Sequence, residues 1–183
     1  QKQAGTVPNT DQDRYTVSLN ATQQLTDKLE VNAVMNYVRL ENDNLIGQGY
    51  NSFNPMQSIG GWFGRQVNIK DLKANWDSEF ENGFPYNWNN NFHDNPFFNT
   101  NNNTNSRYKD RLFGNVNASY NFHKWFKAML RVGNDWSYEK RMALTYNKSN
   151  STLTSMANRT WGGGKFRQSN YGLNELNADL ILT

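Results

Sequence analysis

Through residues 13–40, and again through 109–139, apolar and polar side chains alternate with a period of two, the pattern of strands that have one oily and one wet face. Residues 19–34 and 116–131 read as the same hairpin written twice. In the first copy Tyr15, Val17, Leu19, Ala21 and Leu25, then Leu29, Val31, Ala33, Met35 and Tyr37, share one parity. They oppose Thr16, Ser18, Asn20, Thr22, Glu30, Asn32 and Asn36. In the second, Leu112, Val116, Ala118, Tyr120, Phe122, Phe126, Ala128, Leu130 and Val132 oppose Arg111, Asn115, Asn117, Ser119, Asn121, Lys127, Arg131 and Asp135. The first copy is less clean: Val34 and Val38 fall on the wet parity and Arg39 on the oily one.

For Leu25 and Leu29 to share a face, and Phe122 and Phe126 likewise, each turn must hold an odd number of residues. The spacing therefore predicts three-residue loops at Thr26-Asp27-Lys28 and His123-Lys124-Trp125. Five strands follow, at residues 13–24, 28–40, 109–122, 125–139 and 166–183, with long connections at 41–108 and 140–168. Short turns at one end and long loops at the other are the asymmetry of an outer-membrane β-barrel, so the expected class is all-β, an antiparallel transmembrane barrel segment with long extracellular loops. Five strands cannot close in lipid, where at least about eight are needed. Residues 1–183 are accordingly expected to form one partial barrel domain, an arc of a larger wall; the chain opens at Gln1 without a signal peptide and ends in mid-strand.

Composition agrees with that class. A mean hydropathy of -0.91 and the lack of any apolar run near the ~20 residues of a membrane helix leave no helical span, but barrel strands carry a weak hydrophobic signal by construction. Cysteine is absent, which removes disulfides and thiolate metal sites. The net charge of +3 comes from basic residues scattered along the sequence without a patch, and nucleic acid is not an expected partner. A soluble sheet would also alternate, yet it needs a second layer over its oily face, and the sequence offers no helix of useful length to supply one. Aromatic residues also gather near strand ends on the oily parity: Tyr15, Tyr37, Trp136 and Tyr138 toward the loops, Tyr120, Phe122 and Phe126 toward the turns. Two such belts are what membrane interfaces select.

The long loops are rich in asparagine, in runs such as 87–91 and 101–105, mixed with Trp62, Phe63, Trp76, Phe80, Phe84, Tyr86, Trp88, Phe92, Phe97 and Phe98. Aromatic faces and carboxamides suit a sugar-binding surface. Equally, asparagine favours irregular backbone and the aromatics can form the loop's own small core. Asn54-Pro55 and Asn68 are positioned to cap short helices, the second carrying Ile69, Leu72 and Trp76 at helical spacing. A loop of this length with such elements is expected to be folded and to lid a pore or meet a partner.

Several strings resemble the SusC/RagA family of TonB-dependent outer-membrane transporters of Bacteroidetes. They are Asn54-Pro55-Met56-Gln57-Ser58, Trp62-Phe63-Gly64-Arg65-Gln66-Val67, Leu72-Lys73 with Trp76, Asn95-Pro96-Phe97-Phe98, residues 101–106, Asp110-Arg111-Leu112-Phe113-Gly114-Asn115 and Glu175-Leu176-Asn177-Ala178-Asp179-Leu180. The resemblance spans residues 13–183 in order. It implies a 22-stranded barrel with an internal plug in the cell outer membrane, a SusD-like surface lipoprotein as lid, and energy from TonB. The implied activity is active import of bulky nutrients, glycan oligosaccharides or peptides. Substrate or lid contacts are expected at Trp62, Phe63, Trp76, Tyr86, Trp88, Phe97 and Phe98. The TonB box and the plug are not among these residues, and no family catalytic motif carries over.

Enzymatic chemistry has little support, and no cofactor is expected. His93 and His123 are the only histidines, one in a loop beside Asp94 and one in a tight turn. Asp77, Glu79 and Glu81 have the oxygen chemistry for calcium but read as solvated loop charge. The alternative from another class is a surface carbohydrate-binding or adhesive β-module that transports nothing. A second layer over Leu19, Leu130 and Leu180 would mark the module; an exposed band of those residues would mark a barrel wall.

Overall fold

The computed structural model describes all residues except 51–52, 82, 90–92, 151–152, 156–159 and 162, and at 153–155 and 160–161 the backbone alone. Its centre is one antiparallel sheet in the order β1 (Lys2–Gln3), β2 (Gln12–Thr26), β3 (Leu29–Asn42), β4 (Asn105–His123), β5 (Phe126–Thr145) and β8 (Lys165–Leu182). A small second pair, β6 (Leu153–Ser155) and β7 (Thr160–Trp161), lies in the loop before β8. The sheet does not close: β1 and β8 are its edges. The protein is all-β, with the five expected long strands and one short edge strand that the alternation did not signal, too brief to show a period.

The two hairpins are built alike. Gln24 pairs with Glu30 and Thr26 with Leu29; Asn121 pairs with Lys127 and His123 with Phe126. The odd residue that parity demands is thus a bulge on the first strand, at Leu25 and at Phe122, and the turns proper hold two residues, Asp27-Lys28 and Lys124-Trp125, instead of three. Thr26 Oγ1 fixes the first turn by accepting from the backbone N–H groups of Lys28 and Leu29 at 3.3 and 3.0 Å.

At the loop end the strands run further than the alternation predicts. Glu41 pairs with Tyr108, and Tyr108 with Lys140, although Glu41 and Lys140 put charge on the apolar parity. Backbone pairing continues past the band in which side chains alternate, so the first loop shrinks to residues 43–104 and the second to 146–164.

The registers join the oily parities of all five long strands into one face. Val17, Tyr37, Leu112, Trp136 and Asn174 form one row across it, and Tyr15, Arg39, Asp110, Tyr138 and Gly172 the next toward the loops. Arg39 is therefore at the rim of the apolar field, where its Nε donates to Glu41 at 2.6 Å. At the turn end Tyr120 meets Phe122 edge-on at 4.7 Å, and Phe122 lies 5.3 Å from Phe126.

No second layer covers this face among the described residues. Leu19 is 55% exposed, Leu130 49% and Leu180 69%, whereas Ser119, Ser137 and Glu139 on the opposite, polar face of β4 and β5 are all at or below 9%. Among the described residues the buried apolar side chains Val7, Leu72 and Phe98 belong to the segments around the sheet, not to the sheet itself.

Candidate functional site

Three short helices organise the long loop, each begun by an asparagine. Asn54 caps α1 (Pro55–Gln57), accepting from the N–H of Met56, and the chain continues as a single wide turn over Ser58–Trp62. Asn68 caps α2 (Ile69–Ala74), its Oδ1 accepting from Lys70 and Asp71 at 3.1 and 3.4 Å. Both caps were legible in the sequence; Trp76, however, falls beyond the end of α2. Asn95 caps α3 (Pro96–Asn102), a helix not anticipated although Asn95-Pro96 repeats the Asn54-Pro55 signal.

Asparagine amides build the core of this loop. Asn95, 1% exposed, donates through Nδ2 to the carbonyls of Leu72 at 2.9 Å and Tyr86 at 3.2 Å, tying α2, the following strand-like segment and α3 together. Asn44 donates to the Thr100 carbonyl at 2.9 Å and accepts from the Asn105 N–H at 3.0 Å. Asn103 donates to Asn99 and Ser149 at 2.8 and 3.2 Å and accepts from the Tyr146 N–H at 2.8 Å, bridging the two long loops. These buried carboxamides replace secondary structure as partners for irregular backbone, so they are spent on folding and not on a ligand.

Asp94 anchors the same bridge. Its Oδ2 accepts from Ser149 Oγ at 2.5 Å and its Oδ1 from the Asn150 N–H at 2.7 Å. Burial pushes its carboxyl above the usual carboxylate range, against the pull of Ser149, the Asn150 N–H and Asn103. Beside it the His93 carbonyl accepts from Asn89 and Asn150 at 3.1 and 3.0 Å, and burial holds the imidazole below its usual value, favouring the neutral ring.

The expected aromatic contacts separate into groups. Trp62 lies 5.2 Å from His93, Trp88 6.3 Å from it in a stacked arrangement, and Phe63 4.7 Å from Trp88, edge-on. Of these Trp62 is exposed, while the Trp88 Nε1 is buried without a partner among the described residues. Tyr86 stands apart, tilted against Phe80 at 5.1 Å with its hydroxyl donating to Asp71. Phe97 is half-buried on α3; Phe98 is 4% exposed and meets Tyr146 edge-on at 5.7 Å, a core residue and not a surface contact. Trp76 is half-buried and enters no ring pair among the described residues, and Phe92 lies outside them. Glu79 pairs with Lys148 at 2.5 Å instead of meeting Asp77 and Glu81, and no three metal-binding side chains come together among the described residues.

One expectation is overturned. The basic residues that look scattered in sequence are gathered by strand register at the loop end of the polar face: Arg14, Arg107, Lys109, Arg111, Arg141 and Arg167. The signal was present in part as Arg107, Lys109 and Arg111 at alternate positions; the rest depends on pairings that sequence does not state. Compared with known proteins, the chain matches no protein-family model and no curated protein.

Proposed function

We propose that these residues are part of the wall of an outer-membrane importer: an antiparallel transmembrane β-barrel, of the 22-stranded SusC/RagA kind that the sequence resembles, taking up bulky nutrients. The nutrients are glycan oligosaccharides or peptides, with energy supplied by TonB and a SusD-like surface lipoprotein over the mouth. The observation that carries this reading is the inverted burial of the sheet. Large apolar side chains, Val116 at 51% exposure and Leu130 at 49%, stand on one face of the central strands, and small or charged ones, Ser137 at 8% and Glu139 at 7%, on the opposite face. Water penalises that arrangement and hydrocarbon rewards it.

The dimensions agree. From Leu112 to Phe122 the strand rises ~34 Å at ~3.4 Å per residue, or about 26 Å along the normal at a tilt of about 40°, against an apolar band of about 25 Å. Tyr37 and Trp136 at one limit and Phe122 and Phe126 at the other occupy the levels of the two interfacial girdles. The short turns at Asp27-Lys28 and Lys124-Trp125 then face the periplasm, and the loop of residues 43–104 faces outward, with part of the Trp62 ring exposed toward a substrate or the lid.

Cysteine labelling of the full-length protein in intact outer membranes tests the wall. An L130C variant is expected to resist a water-soluble maleimide until detergent is added, while N115C on the polar face reacts in both states. Import is tested by disrupting the gene and comparing growth on a panel of glycans and peptides with that of the parent and of a strain lacking TonB. Growth equal to the parent on every source would remove the transport reading.

A further inference from the structure

At the loop end of the sheet, charge is sorted by face. Four successive rows of the polar face carry Arg167; then Arg107 and Arg141; then Arg14, Lys109 and Glu139; then Arg111. That is six cations against one carboxylate. The apolar-parity face at the same level carries Lys2, Arg39 and Lys140 with Asp13, Glu41 and Asp110, three cations balanced by three carboxylates. A basic rim that served anionic lipid headgroups or general solubility would stand on the outer face or on both.

The inner-face cations are only partly neutralised. Glu139 is held by Arg107 Nη2 at 2.9 Å and Arg141 Nε at 2.5 Å, with Lys109 Nζ 3.9 Å away. One row further, Asp135 accepts from Arg111 Nε at 2.9 Å. Arg14 and Arg167 are exposed, and neither side chain has an ion pair or hydrogen bond among the described residues. Arg107 Nε is buried without a partner among the described residues. Between the tops of β4, β5 and β8 lies a cleft of about 260 Å³ lined by Asn105, Arg141, Ala143, Arg167, Ser169 and Tyr171, all on the polar parity. The Arg141 guanidinium sits over the Tyr171 ring, 5.5 Å from its centroid, which fixes one wall of that cleft.

We infer that this cleft and the basic rows beneath it form a recognition site for an anionic oligomer, one bearing carboxylates, and so define the substrate class of the importer; the inference rests on the importer reading. Guanidinium forks match carboxylates bidentately, and a concave surface of one sign concentrates ions of the other. Carboxylates come from uronic-acid sugars or from acidic peptides, and both present the same group to Arg167 and Arg141.

The test titrates the full-length protein in detergent by tryptophan fluorescence with two matched pairs, tetragalacturonate against maltotetraose and tetraglutamate against tetraserine. The acidic member of one pair is expected to bind at least about tenfold more tightly, with the difference shrinking between about 0.05 and 0.5 M salt. The pair that shows the preference assigns sugar or peptide. R167Q, which removes a side chain without partners, is expected to reduce the preference, and R141Q combined with R167Q to abolish it, with heat-modifiable migration unchanged. Equal or weaker binding of the acidic member in both pairs, or a preference that survives the double variant, overturns the site. The two readings fail separately: L130C labelled in intact membranes with the acidic preference retained removes the importer wall alone, and L130C protected without any preference removes the substrate class alone.

Discussion

Asn95 shows how much of the long loop hangs on single amides. It caps α3 through the Phe97 N–H at 3.0 Å while bonding the carbonyls of Leu72 and Tyr86, and it is almost fully buried. Replacing it with alanine removes the cap and strands the buried Leu72 carbonyl and the part-buried Tyr86 carbonyl, at a cost of about 2 to 4 kcal/mol to the local fold. Asn95→Ala is expected to speed hydrogen exchange at Asn99 in α3 and at Asn103, its C-cap, while the strand ladder stays protected; equal exchange in both proteins would mean the amide is idle. His93 adds a pH dependence. Its imidazole is held below the ordinary 6.5 by burial, so the folded loop carries fewer protons than the unfolded one in the window just under that value. Loop stability is therefore complete above about pH 6.5 and declines as pH falls through it. Asp94, displaced upward from 3.8 by burial, acts oppositely, favouring the folded loop most at low pH and less as pH rises through its raised value. Protease resistance of the loop between about pH 5 and 7 is expected to fall with acidification in the native chain and to fall less in His93→Gln, which keeps the His93 carbonyl contacts but does not titrate. Identical profiles would exclude the imidazole as the source.

At the level of elements, the strands were the most legible part of the sequence, because each long strand reports its two faces every second residue. The boundaries were less so. Residues 105–108 and 140–145 pair in the backbone although no alternation marks them, since beyond the apolar band nothing selects one parity. The bulges at Leu25 and Phe122 were visible only as an odd count: parity fixes how many residues separate two faces, not whether the extra one sits in the turn or in the ladder. In the loops, proline after asparagine announced α1, whereas α3, which opens on the same pair at Asn95-Pro96, was not anticipated, and the mixture of aromatics and amides offered no means to tell Trp62, which is exposed, from Phe98, which is core. That distinction rests on long-range contacts such as Phe98 with Tyr146. The two faces also predict different tolerance to charge. Leu130→Arg puts a guanidinium on the apolar face, a penalty of about 2 to 4 kcal/mol at the bilayer midplane, whereas Asn115→Arg puts it on the polar face beside Val34 and Gly133. The first is expected to reduce the heat-modifiable barrel fraction in outer membranes and the second to leave it near normal; equal losses would reverse the assignment of the faces.

For the molecule as a whole, the open sheet determines how these residues behave away from their surroundings. β8 presents a free edge over Lys165–Leu182, and β1 covers β2 over only two residue pairs, so both sides of the sheet offer unpaired backbone groups. The face between those edges exposes Val17, Leu19, Met35, Val116, Leu130, Val132, Leu176 and Leu180, each at 40% or more. Their burial in a neighbouring copy gains about 25 cal/mol per Å² of apolar surface, and edge strands pair without further design. The loop core cannot offset this, because it consists largely of satisfied amides around Leu72 and Phe98. Expressed by themselves in detergent-free buffer, residues 1–183 are therefore expected to aggregate or to form polydisperse assemblies, and to become dispersed once micelles coat the apolar face. Sedimentation velocity with and without detergent measures this. A monodisperse, cooperatively unfolding monomer without detergent would mean that the apolar face finds cover within the chain, and the lipid-facing wall would have to be abandoned for a self-contained module.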